Sequence, residues 1–390
     1  MRRRLRLSPT GPGGSARGLA LLVLAAAAAP SLAEAQPRPE RPDLPPHFAI
    51  RGARVVTVSG QVIDNGTVVV SDGVITAVGR NVTVPPEAWV IDGAGKTVYP
   101  GLIDAMTTLG HAPTRPAARN GAGGGPFGPT GPVDESTHSW GPEDRPGTHS
   151  WKSAAEELDE SDERYERWRA AGFTTVVSTL EDGLVTGQAA VLNLGDFERA
   201  REMVVATPVA MRVKLQDRSF TGYPNSLLGS FAYLKQLYLD AQHYDRVWDD
   251  YTVSPAGKRR PEWDLALEPI RHQLSAGYPV LFPADDRTEV ERALATARVM
   301  GVRPVVYGVQ GAYDAADLLA DADVAALVDL DWPRPPRNGD PEADPGLETL
   351  RLWDRAPTTP AELDRAGVPF AFYSGDISDP ADMLDNARRA

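Results

Sequence analysis

The stretch from Lys96 to Ala112, "KTVYPGLIDAMTTLGHA", holds the ingredients of a polar site. An apolar run and a Pro-Gly turn lead to Asp104, an acid at a strand's end, with His111 a short way on. Carboxylate and imidazole groups hold divalent cations, and a cation so held turns its bound water into a nucleophile at neutral pH. The chain has six histidines and no cysteine, so thiolate metal sites, cysteine nucleophiles and disulfides are excluded. His111, His138 and His149 could reach one site together with Asp104, but no two histidines stand at i,i+2 or at i,i+4. A ligand set drawn from a flexible segment also carries an ordering cost. His243 and His272 fall in helical sequence and read as packed or surface residues, while His47 falls in a proline-rich stretch. There is no G-x-S-x-G elbow and no phosphate-cradling loop. Asp285-Asp286 read as solvated or capping acids rather than as a glycosidase pair.

Several kinds of element must position these groups. Residues 1–35 combine a basic start, an apolar run from Leu19 to Ala29 and a small-x-small "AEA", the pattern of a cleaved signal peptide. Residues 36–47 form a Pro-rich spacer. Residues 48–98 hold Val/Ile-rich runs broken by Asn65-Gly66 and Asp72-Gly73, which predicts a small antiparallel β unit with two tight hairpins. A Gly/Pro-rich loop spans 113–149, and a helix is predicted over 153–172. Strand-length runs then alternate with helical ones, as in "PVLF" before "DRTEVERALATARVMG" and "VPFAFY" before "DPADMLDNARRA". That rhythm predicts parallel β/α units over 99–390. "TGYPNSLLGSFAYLKQLYLDAQHYDRVWDDY" is dense in aromatics, and its Tyr223–Ser226 segment is placed to edge a pocket. The competing reading is ordinary helix packing through Leu234, Leu237, Tyr238 and Ala241.

Charge narrows the partners. Net charge is −13, and the first 35 residues contribute five arginines and one acid, leaving 35 bases against 52 acids. So acidic a surface disfavours nucleic acid and anionic membranes. The expectation is an exported protein, periplasmic or extracellular, with no stable membrane insertion once the signal peptide is removed.

The residues "ITAVG" and "VIDGAGKTVYPGLID" resemble the amidohydrolase superfamily, and more closely its imidazolonepropionase- and prolidase-like branch. The resemblance implies an α/β fold: a (β/α)8 TIM-like barrel, complete or incomplete, with a small N-terminal β-sandwich domain. It also implies divalent metals at the C-terminal mouth of the barrel, hydrolysing C–N and related bonds. The family's His-x-His dyad falls on Met106 and Thr108, and a thioether and a hydroxyl are poor ligands for such ions. Pro283 and the Tyr307-Gly308 pair fall at or near two later histidine positions. Lys214 matches a bridging lysine, and Asp376 matches the last aspartate, which would act as catalytic base. Each has a plainer reading: Lys214 as a solvated strand-end lysine, Asp376 as a helix N-terminal acid. The expectation is an exported amidohydrolase-like protein, a hydrolase of non-peptide C–N bonds with most metal ligands missing. The alternative is a non-catalytic binding or scaffold half of a larger protein whose chain continues past Ala390. No cofactor is expected, with zinc admitted only at a relocated site built on His111. A small-molecule substrate or ligand is expected, of unknown identity.

Overall fold

The structure, a computed structural model, describes residues 45–111, 145–195, 197, 199–215, 224, 226–335 and 344–390. Residues 1–35, read above as a signal peptide, nearly all of the Pro-rich spacer, most of the 113–149 loop with His138, and Tyr223 and Asn225 lie outside the described residues. The chain divides into two compact units, one ending at Tyr99 and one beginning at Pro100.

The first unit is a five-stranded sheet. Strand β1 (His47–Val55) lies between β2 (Ile63–Ser71) and β4 (Trp89–Asp92), with β3 (Val74–Gly79) outside β2 and β5 (Thr97–Val98) also on β1. His47 therefore begins a strand rather than ending a spacer, pairing with Ser71. Ala53, Val55 and Val68 form this unit's buried core. Asp72-Gly73 makes the predicted hairpin turn, with Asp72 at φ 51°. Asn65-Gly66 does not. It lies inside β2, where the register against β1 shifts, and a Cβ on Gly66 would crowd Val55 and Ile63. The positive φ expected of Asn65 therefore serves a bulge. The sheet also departs from the antiparallel expectation, because β4 and β5 run parallel to β1.

The second unit carries an eight-stranded sheet that nearly closes into a barrel. Its strands are β6 (Leu102–Thr107), β7 (Phe173–Ser178), β8 (Val185–Asn193), β9 (Val204–Val213), β10 (Val280–Ala284), β11 (Pro304–Gly308), β12 (Ala326–Asp329) and β13 (Phe370–Tyr373). They are hydrogen-bonded in sequence order. One strand breaks the β/α rhythm: β8 runs antiparallel to both β7 and β9. The turn from β7 to β8, "EDG" at 181–183, is too short to carry a helix, so the chain reverses as a hairpin. From β9 onward every ladder is parallel.

Among the described helices, α1 (Arg164–Ala170) is much shorter than the predicted 153–172. Local acids divert the preceding segment from helix. Asp159 N donates to Gly110 O at 2.7 Å, Asp162 accepts from Gly110 N at 2.8 Å, and Asp159 also binds Ser161. A four-residue helix, α2 (Ala200–Met203), precedes β9. The long α3 (Leu227–Val253) starts where Ser226 Oγ accepts from Gly229 N, and buries Leu234, Leu237, Tyr238 and Ala241 at helical spacing. Helix α4 (Leu267–Ala276) precedes β10. Helix α5 (Arg287–Met300) is capped by Asp286 and buries Val290, Ala293, Ala297 and Met300. Helices α6 (Ala316–Asp321), α7 (Leu347–Arg355), α8 (Thr359–Ala366) and α9 (Pro380–Ala387) complete the set.

Candidate functional site

The polar residues gather at the C-terminal ends of the barrel strands, where loops follow each parallel strand and where sites of this fold form. Asp104 is fully buried, with its Oδ1 accepting from Ser374 N at 3.0 Å and from Met106 N at 3.4 Å. Its Oδ2 accepts from Trp168 Nε1 at 3.2 Å. Burial pushes this carboxyl up to about 6 despite those bonds. Asp104 is thus committed to structure: it joins the first barrel strand to the turn after the last.

The barrel interior is apolar where the resemblance would place the dyad. Met106 is buried in one cluster with Ala189, Ala210, Leu281, Tyr307 and Tyr373. Tyr307 and Tyr373 meet edge to face at 6.4 Å, and the Tyr307 hydroxyl donates to Val213 O at 3.0 Å. Thr108 points to other work, its carbonyl accepting from Arg164 Nη2 at 2.9 Å.

Arg212 crosses this mouth. It is 8% exposed, and its guanidinium lies 5.1 Å from the centre of the Tyr307 ring. Nη1 donates to Thr179 Oγ1 at 3.1 Å and to Leu180 O at 3.2 Å, with Glu181 Oε1 at 3.8 Å. Nε is buried without a partner. Burial alone would weaken this cation, but Tyr307 and Glu181 hold its pKa above the ordinary value.

Two cavities lie near Arg212, which lines the second and hydrogen-bonds Thr179 and Leu180 on the wall of the first. One, of about 280 Å³, is bordered by Thr108, His111, Lys152, Glu157 and by Glu181 and Asp182 of the β7–β8 turn. The other, of about 300 Å³, is bordered by Arg212, Lys214, Asp285, Glu289, Arg292 and Tyr307. In the second, the Asp285 carboxyl is pushed up to about 6, first by burial and then by Glu289 and Asp286, although the residue as a whole keeps an exposed surface. Gly308, at φ 102°, lets Asp285 pack against the backbone where any Cβ would overlap its carboxylate. Asp329 is likewise raised to about 6 by burial, against a hydrogen bond from Tyr373.

The sequence candidates scatter over this geometry. Lys214 follows β9, lines the second cavity and donates from Nζ to Glu181 O at 3.0 Å. His111 borders the first cavity, its Nδ1 3.2 Å from Glu157 O and its Nε2 buried without a partner. Burial lowers the His111 pKa. Asp376 sits in an exposed turn and does not cap the last helix, since Asp379 accepts from Ala381 N instead. Pro283 and Tyr307, read from the sequence as histidine positions, face each other across the β10–β11 ladder. His149 packs edge to face on Trp151, and His243 and His272 are exposed. Sequence reading passed over Arg212, whose signal was a charge inside the apolar run "PVAMRV".

Among the described residues, these donors are not gathered as a divalent-cation site: no three of His, Asp and Glu converge on one point. A guanidinium, two tyrosines and a thioether occupy the space where ligands are needed. What the arrangement offers is fixed positive charge beside an acid poised near neutral pH.

No family model matches the chain. An alignment of 91 residues is 38% identical to the imidazolonepropionase of Geobacillus thermodenitrificans, covering 18% of this chain and 22% of that protein. The chain thus matches about a fifth of that relative's length. The crystal structure of an amidohydrolase from Thermotoga maritima superposes with a TM-score of 0.67 at 21% identity, over 88% of this chain and 84% of the other. A prolidase complexed with N-methylphosphonate-L-proline reaches a TM-score of 0.45 at 16% identity, over 84% of this chain and 78% of the other, too low to carry an argument. The local sequence match, together with the shared barrel fold, supports an amidohydrolase superfamily assignment.

Proposed function

We propose that this chain is an exported amidohydrolase-type barrel whose mouth binds a small molecule through protein-borne charge, without metal-dependent hydrolysis. The observation behind this reading is the filling of the barrel interior: Met106, Tyr307 and Tyr373 pack together there, with the Arg212 guanidinium over the Tyr307 ring. A buried cation in that place repels a divalent ion instead of recruiting one. The leader-like residues 1–35 support export, and the net negative charge of −13 supports a partner other than nucleic acid.

The second reading is a hydrolase of non-peptide C–N bonds. It is favoured by the local match to an imidazolonepropionase and by Asp285, whose carboxyl near 6 suits proton transfer at neutral pH. Incubating the full chain with N-acyl amino acids, dipeptides and cyclic amides, with and without added zinc, decides between the two. No release above the buffer blank is expected. Turnover that scales with protein concentration would overturn the binding reading.

A further inference from the structure

We propose that the cavity beside Arg212 is a site for a small carboxylate with an apolar body, held by the Arg212 guanidinium. This deepens the binding reading given above and rests on it.

Arg212 is a buried cation with unfinished bonding. It is more than nine-tenths buried, yet the nearest carboxylate, Glu181 Oε1, stands at 3.8 Å and that side chain is 35% exposed. Nη1 donates to Thr179 and Leu180, whereas Nε is sequestered from water with nothing to accept its hydrogen. A buried donor left in this way is costly, and more so on a charged group. A planar guanidinium fork matches a carboxylate's two oxygens.

The walls agree with that choice. Lys214 lies two residues along from Arg212, on the same side of the chain as it leaves the sheet, and Arg292 of α5 adds a third cation. Asp285 and Glu289 oppose them, leaving the positive charges in excess. Leu227, in the first turn of α3, also lines the cavity, and that 27-residue helix has no acid in its first turn to offset its partial positive end. The remaining wall is apolar, from Leu215, Phe231 and Pro283. A volume of about 300 Å³ suits a ligand of modest size. The first cavity, which Arg212 does not line, has the opposite balance, with Glu157, Glu181 and Asp182 against Lys152 on its wall, so an anion is steered away from it.

Calorimetric titration of the full chain with phenylacetate, and in parallel with the neutral phenylacetamide, tests the assignment. Phenylacetate is expected to bind about tenfold or more tightly than the amide, and to weaken as salt rises. Arg212→Gln should erase that preference. Should Arg212→Gln fail to fold, Lys214→Gln decides, with an expected loss of about threefold or more in phenylacetate affinity at low salt. Equal binding of both probes, binding of neither, or a folded Arg212→Gln that keeps the preference would overturn the proposal. Turnover of amides bears on the binding reading itself and is a separate readout.

Discussion

Asp104 Oδ1 accepts a hydrogen bond from Ser374 N at 3.0 Å, across a sequence separation of 270 residues. Strands β6 and β13 are the two ends of the barrel's hydrogen-bonded order, and this side-chain bond links them at the mouth. Asp104, the third residue of β6, therefore acts as a clasp. Its other oxygen, on Trp168 Nε1, ties the same strand to α1.

Trp168→Phe keeps an aromatic side chain, though a smaller one, and removes one donor from a fully buried carboxylate. The expected loss is about 1–3 kcal/mol of stability, read as a lower denaturant midpoint with an unchanged slope. A midpoint equal to that of the parent chain would show that the carboxylate is not held by the indole.

The same acid gives the fold a pH dependence whose sign follows from burial. Asp104 is raised from an ordinary 3.8 to about 6, so the folded state holds its proton more tightly than the unfolded chain. That contribution is fully present below about pH 4 and is lost as pH rises through about 6. Asp285 and Asp329 shift the same way, while His111, lowered by burial, works oppositely below its ordinary value of 6.5. Comparing the chain with Asp104→Asn isolates one group. The parent's stability advantage should shrink by about 3 kcal/mol between pH 4 and pH 7. A constant difference across that range would contradict the buried-acid account.

Gly308→Ala should disturb the site more than the fold. At φ 102° an alanine is strained, and its Cβ would overlap the Asp285 carboxylate. A cost of about 1–3 kcal/mol is expected, together with displacement of Asp285 from the cavity wall. Unchanged thermal stability and an Asp285 pKa still near 6, read by carboxyl NMR, would refute that packing.

Much of the barrel was legible because burial and periodicity coincide there. "DRTEVERALATARVMG" places Val290, Leu294, Ala297 and Met300 on one face, and α5 buries all but Leu294, which is half-buried. Local competition hid the rest. In "SAAEELDESDER" the acids bind nearby backbone donors and shorten α1, and the Asn65-Gly66 pair serves a bulge as readily as a turn. The reversed strand β8 was hidden by its composition, since an apolar run carries no mark of direction. The site was legible in part. Met106, Pro283 and Tyr307 were found through the pattern they interrupt and Lys214 through one it matches, and three of these four line the cavity with Arg212. Arg212 itself went unread because burial of a strand-end arginine depends on Tyr307, nearly a hundred residues away.

The central claim is that fixed side-chain charge has taken the place of a bound cation at this barrel mouth. Elemental analysis of the full chain, purified without added metal and then dialysed against zinc, tests it most directly. Well under one equivalent of tightly bound zinc, manganese or iron is expected in either preparation. One equivalent retained after dialysis, and lost in His111→Ala, would contradict it.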